Sequence, residues 1–183
     1  MPVDLKDKRI IVTGAATGIG RATALLVSAC GARVAAFDVN DAAGIATVNH
    51  INEAGGVARY WRLDVMDGAQ VDGGVSAAAQ WLGGIDVLLH FAGVLQGANV
   101  ELDEFPEDTW DRVLGINLNG SFLVAKHVAS VMKLQKKGVI ILTASFAWST
   151  NPSVFLVTSW NAPTITIATG THAIDFVPCT PYT

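Results

Sequence analysis

Positive charge is missing from the last quarter of this 183-residue sequence. All 12 Lys and Arg residues lie at or before Lys137, and the 46 positions that follow hold one charged residue, Asp175. The whole chain carries a net charge of −4, without a basic stripe of the kind that neutralises phosphates. This balance argues against a nucleic acid or an anionic membrane surface as a partner and favours a small molecule.

Cysteine is also scarce. Cys30 and Cys179 stand alone and follow no metal-ligand spacing, so no metal site is predicted. Each is expected to be a buried apolar residue, and a reducing compartment is the default for a chain with so few cysteines.

Long apolar runs are absent as well. The stretch from Gly138 to Ile174 lacks Asp, Glu, Lys and Arg, but Asn and Pro residues at 151, 152, 161 and 163 interrupt it. No run therefore approaches the roughly 20 apolar residues of a membrane helix. Charged residues at positions 4, 6, 7 and 8 stand where the apolar part of a signal peptide would be. We expect a cytoplasmic protein with no membrane partner.

Short apolar runs alternate with longer helical patterns up to about residue 143, which predicts parallel βαβ units. Strands are expected near 9–13, 33–38, 57–63, 85–90 and 138–143. Helices are expected near 19–30, 41–54, 68–82 and 107–134, the last as two segments that meet near Gly115. The predicted fold class is α/β, a Rossmann-like doubly wound parallel sheet that is incomplete or atypical at its C-terminal end.

A glycine-rich turn joins the first predicted strand to the first predicted helix. Gly14, Gly18 and Gly20 have no Cβ, so the chain can bend sharply and a pyrophosphate can approach the backbone. The helix N-terminus then offers unpaired N–H groups to an anion. A purely structural turn is the alternative interpretation of the same residues.

Polar or small residues follow three further strands. Asp38 ends the second strand, where a carboxylate would accept hydrogen bonds from an adenosine ribose and repel a 2′-phosphate, which favours NAD over NADP. Asp64 ends the third strand and could bring a carboxylate to the adenine amino group. Ala92 and Gly93 follow the fourth strand and leave room for a ligand. The alternatives are a helix cap, a solvated strand end and an ordinary turn.

In order and spacing, these residues resemble the short-chain dehydrogenase/reductase family from residue 5 to about residue 145. The resemblance implies that NAD is held by eleven residues. They are Gly14, Thr17, Gly18, Ile19, Gly20, Asp38, Asp64, Val65, His90, Ala92 and Gly93. His90-Phe91 stands where the family usually has Asn-Asn, so His90 is either a core residue, the role we favour, or a weak neighbour of adenosine.

The resemblance also implies the catalytic residues and the partners. Ser145 would hydrogen-bond the carbonyl or hydroxyl of a substrate. Asn117, in Asn117-Leu118-Asn119-Gly120, would bend its helix and hold a proton-relay water. The substrate class is a secondary alcohol or ketone. A homo-oligomer is implied because members pair through the long helix that includes residues 117–134 here.

The chain departs from the family after Ser145. The proton-donating Tyr of the family would fall at Val157 or Thr158, and its Lys partner at Asn161 or Ala162. We therefore predict an NAD-binding Rossmann domain over residues 1–145, with residues 146–183 as an atypical segment of the same domain.

Three hypotheses remain open. The chain is an NAD-dependent oxidoreductase, or a non-catalytic NAD-binding sensor or partner subunit, or a family enzyme with a frameshifted or misassigned C-terminal segment.

Overall fold

The computed structural model describes residues 4–97, 100–145, 153–159 and 165–169. Strands and helices alternate through the first part of the chain. They are β1 Arg9–Thr13, α1 Gly18–Ala29, β2 Arg33–Asp38, α2 Asp41–Glu53, β3 Val57–Arg62, α3 Gly68–Leu82, β4 Val87–His90, α4 Glu107–Leu114, α5 Ser121–Gln135, β5 Val139–Ser145, β6 Ser153–Ser159 and β7 Ile165–Thr169. A short 3-10 helix covers Leu102–Glu104, and a π-helical turn, Gly115–Gly120, joins α4 to α5.

The described strands form one sheet in the order β3-β2-β1-β4-β5-β6-β7. The first five in this order are mutually parallel, as the alternating pattern predicts. Apolar clusters cover both faces of the parallel part, one with Ile11, Phe37 and Leu88 at its centre and the other with Val12 and Val34. The α/β fold class is confirmed.

Helix ends follow local signals in the sequence. The Asn40 side chain accepts a hydrogen bond from the Ala43 N–H at the start of α2. The Asp67 side chain accepts bonds from the N–H groups of Ala69 and Gln70 at the start of α3. Gly83 ends α3 with a φ of 79°, which favours glycine.

The predicted break near Gly115 is a π-helical turn rather than an interruption of the helix. A Cβ on Gly115 would lie 2.7 Å from Met66 Cε, and one on Gly120 would lie 2.6 Å from Val65 Cγ2. The two glycines therefore let this turn sit directly on the segment that follows β3.

A charged cluster holds the amino ends of the strands together, far from the site. Arg9 Nη2 lies 2.7 Å from Asp86 Oδ1, and Arg9 Nε donates to Asp86 Oδ2 at 2.8 Å. These bonds hold the pKa of the Asp86 carboxyl well below its usual range. The Gln135 side chain bonds both the N–H and the carbonyl of Ile85, at 2.8 and 2.6 Å.

The sheet changes direction after β5. Strand β6 is antiparallel to β5, with Ser153 opposite Ser145, Val157 opposite Ile141 and Thr158 opposite Ile140. Strand β7 continues the antiparallel pairing. The chain thus departs from the parallel pattern where the sequence departs from the family.

The structure bears on three expectations from composition. Within the described residues, no helix is long and apolar enough to cross a membrane. The same part of the chain holds no cluster of three potential metal-ligating residues. Cys30 is half-buried after α1, rather than fully buried, and Cys179 lies outside the described residues.

Candidate functional site

A cleft of about 520 Å³ opens at the carboxyl ends of the parallel strands. Its size lies within the range of about 300–1,000 Å³ that is usual for small-molecule sites. Ten of the residues predicted from the sequence line it together. They are Gly14, Thr17, Gly18, Ile19, Gly20, Asp38, Asp64, Val65, Ala92 and Gly93. Parallel strands end at one edge of a sheet, which is why motifs so far apart in the chain converge.

The glycine turn forms one wall of the cleft. Gly14 has a φ of 68°, and a Cβ there would lie 2.9 Å from the Ala92 nitrogen. A Cβ on Gly20 would overlap the main-chain oxygen of Gly14. Gly18, in contrast, has a φ of 53° and faces open space, since a Cβ there would meet no atom within 4 Å. Two glycines close the turn, and the third leaves a surface that a ligand can approach.

The start of α1 meets the requirements of an anion site. Thr17 is the N-cap, and its side chain makes no capping hydrogen bond within the described residues. The first N–H groups of a helix have no partner inside it. The N–H groups at Gly18, Ile19 and Gly20 are therefore available to a ligand, aided by the helix dipole. This cradle fits a pyrophosphate.

Asp38 links the end of β2 to the glycine turn. Its Oδ2 accepts a hydrogen bond from the Ala16 N–H at 2.9 Å, and its Oδ1 accepts one from the Asn40 N–H at 3.0 Å. The cap of α2 comes from Asn40, not from Asp38. Each carboxylate oxygen keeps capacity for a second donor, so Asp38 can also accept bonds from a ribose.

Asp64 and Val65 line the cleft beside the start of α3. Asp64 Oδ1 accepts a hydrogen bond from the Met66 N–H at 2.9 Å, which orients the carboxylate. Val65 is buried and contributes an apolar surface. A carboxylate next to an apolar wall suits the amino edge and the face of a purine ring.

His90 lies behind the cleft and not in its lining. It is 0% exposed, and its Nδ1 lies 2.9 Å from Thr13 Oγ1. That oxygen also accepts bonds from the N–H groups of Phe91 and Ala92, at 3.2 and 3.1 Å. The Thr13 hydroxyl thus connects the His90 ring to the main chain that leads into the cleft. Burial lowers the pKa of His90 to about 4, so the ring is neutral at pH 7.

Asn117 lies in the middle of the π-helical turn, where the sequence predicted a bend. Its Oδ1 accepts a hydrogen bond from the Val94 N–H at 2.9 Å, and its Nδ2 donates to the Val94 carbonyl at 2.9 Å. The main-chain oxygen of Asn117 accepts a bond from Ser121 Oγ at 2.6 Å. The side chain therefore anchors the segment after Gly93 and is not part of the cleft lining.

Ser145 is the last residue of β5, at the same sheet edge as the cleft. The positions where the family carries its Tyr do not share that edge. Val157 lies opposite Ile141, four residues before the end of β5, which corresponds to about 13 Å along a strand. The backbone of β6 thus carries this position away from Ser145.

Two polar residues of the cleft were not predicted from the sequence. Arg112 reaches the lining from α4, and Thr143 reaches it from β5. Thr143 could have been found as a polar residue inside an otherwise apolar strand. Arg112 carries no local signal, because only the packing of α4 beside the segment after β3 brings it to the cleft.

The chain matches the sequence profile of the short chain dehydrogenase family over residues 8–157. This match covers most of the chain, including every motif that lines the cleft. The chain belongs to the short-chain dehydrogenase family. Oxidoreductases of this family typically bind nicotinamide cofactors, which agrees with the cradle around Gly18.

Two curated relatives of this short-chain dehydrogenase are named for different substrates. It is 40% identical over 141 residues to (+)-borneol dehydrogenase 1 of Salvia officinalis, covering 77% of this chain and 53% of the relative. It is 38% identical over 143 residues to D-threitol dehydrogenase of Mycolicibacterium smegmatis, covering 78% and 54%. The chain spans about half the length of the curated relatives it matches.

Solved structures agree with the fold of this short-chain dehydrogenase. The crystal structure of gox2181 superposes with a TM-score of 0.76 at 29% identity, covering 82% of this chain and 59% of that one. A hydroxysteroid dehydrogenase from Escherichia coli superposes with a TM-score of 0.67 at 29% identity, covering 75% and 55%.

Proposed function

We propose that this short-chain dehydrogenase is an NAD(H)-dependent oxidoreductase that acts on a secondary alcohol or ketone. One observation carries the proposal. The glycine turn, Asp38 and the Ala92-Gly93 segment line one cleft, and Gly18 leaves its phosphate wall open. This arrangement supports a cofactor-binding role for the described residues.

Each group of the cofactor has a matching part of the cleft. The N–H groups at the start of α1 would bind the pyrophosphate. Asp38 would accept bonds from the ribose hydroxyls and repel a 2′-phosphate, and Asp64 would accept a bond from the adenine amino group. Ala92 and Gly93 would lie against the remainder of the dinucleotide.

The chemistry would take place at the end of β5. When the dinucleotide is bound, its nicotinamide ring would donate or accept the hydride. Ser145 would donate a hydrogen bond to the substrate oxygen. Asn117 would hold a proton-relay water through the second N–H of its Nδ2, since the first donates to the Val94 carbonyl. The names of the borneol and threitol dehydrogenases are consistent with a small alcohol as substrate.

A second candidate function is NAD binding without catalysis, as a sensor or as a subunit of an active relative. The register of β6 favours it, because Val157 and Thr158 pair with Ile141 and Ile140, in the amino-terminal half of β5. Neither residue can act as a general acid, a role that typically contributes about 10²–10⁴-fold to a rate.

Two measurements on the full chain test the proposal. Titration with NADH and NADPH, followed by the fluorescence of the reduced nicotinamide, should give saturable binding with a clear preference for NADH. Oxidation of NADH should then be followed with a panel of ketones. Binding together with turnover supports the oxidoreductase, and binding without turnover supports the second candidate. A chain that binds neither dinucleotide would disprove both.

We further propose that the protein is a cytoplasmic homo-oligomer. Trp110 of α4, Leu118 of the π-helical turn and Phe122 of α5 are 53%, 62% and 63% exposed. The first turn of α4 is acidic, and the last turn of α5 contains Lys133. Two copies of this helical segment packed antiparallel would bury the apolar residues and pair the opposite charges.

The oligomer has a direct test by sedimentation velocity. Phe122→Glu should shift the wild-type oligomer toward the monomer, and Lys6→Glu, an exposed change elsewhere, should not. A wild-type chain that sediments as a monomer at all concentrations would contradict the proposal.

A further inference from the structure

The loop that carries Asp38 is held from the neighbouring strand. Tyr60 Oη lies 2.7 Å from the main-chain oxygen of Asp38 and 3.0 Å from Asp41 Oδ1, so the hydroxyl proton has two acceptors. The Leu63 N–H donates to the same Asp38 oxygen at 2.9 Å. Two donors from β3 and the residue after it thus fix the main chain at the end of β2.

Arg62 holds the next residues of the loop. Its Nη1 donates to the Val39 carbonyl at 2.8 Å and to Asp41 Oδ2 at 3.1 Å. Tyr60 and Arg62 are two positions apart on β3, so both lie on the same side of the strand. Together they contact three of the four residues from Asp38 to Asp41.

The Tyr60 ring has a fixed place in the fold. A Cβ on Gly44 would overlap the ring, which shows how closely α2 packs against it. Burial, followed by the bond to Asp41, raises the pKa of Tyr60 above its usual range, so the phenol stays protonated and remains a donor. The hydroxyl is therefore a permanent constraint on the loop.

The Asp38 side chain has different partners from its main chain. Its carboxylate accepts a hydrogen bond from the Ala16 N–H of the glycine turn at 2.9 Å and one from the Asn40 N–H of its own loop at 3.0 Å. A hydrogen bond tolerates little change in length or angle, so a small shift of the loop would misplace this carboxylate for a ribose. Its direction in the cleft depends on the groups that hold the loop.

We propose that Tyr60 and Arg62 are positioning residues that hold Asp38 and so determine selectivity for a dinucleotide without a 2′-phosphate. The inference rests on the proposed binding of NAD(H), and it adds a determinant that no motif contains. Neither residue lines the cleft, so both act through Asp38.

The test measures the dissociation constants of NADH and NADPH for the full chain, four single variants and the double variant of Asp38→Ala with Tyr60→Phe. Tyr60→Phe removes only the hydroxyl, and Arg62→Gln removes the charged donor. Asp38→Ala removes the carboxylate itself. Arg59→Gln is the matched control, because Arg59 lies on the same strand and stacks on Trp61, with its Cζ 5.1 Å from the ring centre.

The expected result is a loss of discrimination. Tyr60→Phe should reduce the preference for NADH over NADPH by about 3- to 10-fold, the effect of one hydrogen bond, and Arg62→Gln by a smaller factor. Arg59→Gln should leave the preference unchanged. In the Asp38→Ala background, Tyr60→Phe should have no further effect on it, because the carboxylate that Tyr60 positions is absent.

The outcomes separate this inference from the proposed function. If Asp38→Ala changes the preference but Tyr60→Phe and Arg62→Gln do not, the positioning role is wrong and the ribose role of Asp38 stands. If Tyr60→Phe and Arg62→Gln weaken the binding of NADH and of NADPH equally, the two residues have a structural role and the inference is again wrong. If Asp38→Ala leaves the preference unchanged, the ribose role fails and the inference fails with it. Arg62 is exposed, so its variant remains informative if Tyr60→Phe does not fold.

Discussion

The carboxyl ends of β1 to β4 and the carboxyl end of β5 lie along one edge of the same sheet, yet the chain takes a different direction after β5. After each of the first four, the chain continues in the parallel pattern, and every loop contributes to one cleft. After β5 the chain reverses into an antiparallel strand. Parallel connections bring distant motifs together, whereas an antiparallel return carries the next residues away from the edge.

The two regions also differ in the charge of their sequences. The cleft end of the sheet has a dense set of directed bonds, such as those from the Ala16 N–H to Asp38 and from the Val94 N–H to Asn117. The sequence beyond Lys137 contains only one charged residue, so ion pairs such as Arg9–Asp86 have few possible partners there. The comparison predicts that substitutions at the nucleotide end have large, specific effects and that those in β6 have small ones.

The largest effect is expected at Gly20. A side chain there would overlap the Gly14 carbonyl and displace the phosphate wall, so Gly20→Ala should weaken NADH binding by about 100-fold. Fluorescence titration measures this. Gly73→Ala in α3 is the control, since a Cβ there meets nothing within 4 Å and alanine favours a helix. Equal affinities for the two variants would contradict the role of the turn.

The second effect concerns stability rather than binding. Arg9→Ala leaves the half-buried Asp86 carboxylate without its main partner, and the free energy of unfolding should fall by about 2 kcal/mol. Urea denaturation measures it. Because the cluster lies at the opposite end of the strands, the preference for NADH over NADPH should not change. A changed preference would show that the two ends of the sheet are coupled.

The same cluster predicts a dependence on pH. The pKa of Asp86 is lower in the folded than in the unfolded chain, so its stabilising contribution is present above its unfolded value and is lost as the pH falls below about 4. The unfolding free energy of the wild type should therefore fall more steeply below that pH than that of Asp86→Asn. Parallel curves for the two proteins would contradict this assignment.

Asp38→Ala should have an intermediate effect on the nucleotide end. Loss of a charged acceptor for the ribose should weaken NADH binding by about 10-fold and reduce discrimination against NADPH. The same titration measures both. Identical affinities before and after the change would disprove the assignment.

The smallest effect is expected after β5. The double change Val157→Tyr with Asn161→Lys restores the residue types of the family, but position 157 pairs with Ile141 rather than with the end of β5. The rate of NADH oxidation with ketones should therefore stay as in the wild type. A gain of about 100-fold, the size of general-acid catalysis, would show that this region can adopt the family arrangement.

The motifs that line the cleft could be predicted from the sequence because each is local. Gly14 to Gly20, Asp38 and Ala92-Gly93 follow predicted strands, and the parallel rule alone brings them together. Arg112, Tyr60 and Arg62 could not be assigned in this way. Their contacts depend on which helix or strand packs beside the cleft, and no spacing in the sequence encodes that.

His90 could be located from the sequence, but its role depends on tertiary packing. The sequence placed it next to the Ala92-Gly93 motif and left two roles open. Only the packing shows a side chain bonded to Thr13 behind the cleft, with no exposed surface.

The sequence by itself determined the family, the fold of residues up to β5 and ten of the residues that line the cleft, because glycine turns and strand ends act through local backbone geometry. The tertiary structure alone decided which residues hold Asp38, which face of His90 is bonded and where Val157 lies relative to Ser145. Those facts depend on strand register and side-chain packing, which join residues that are distant in the chain.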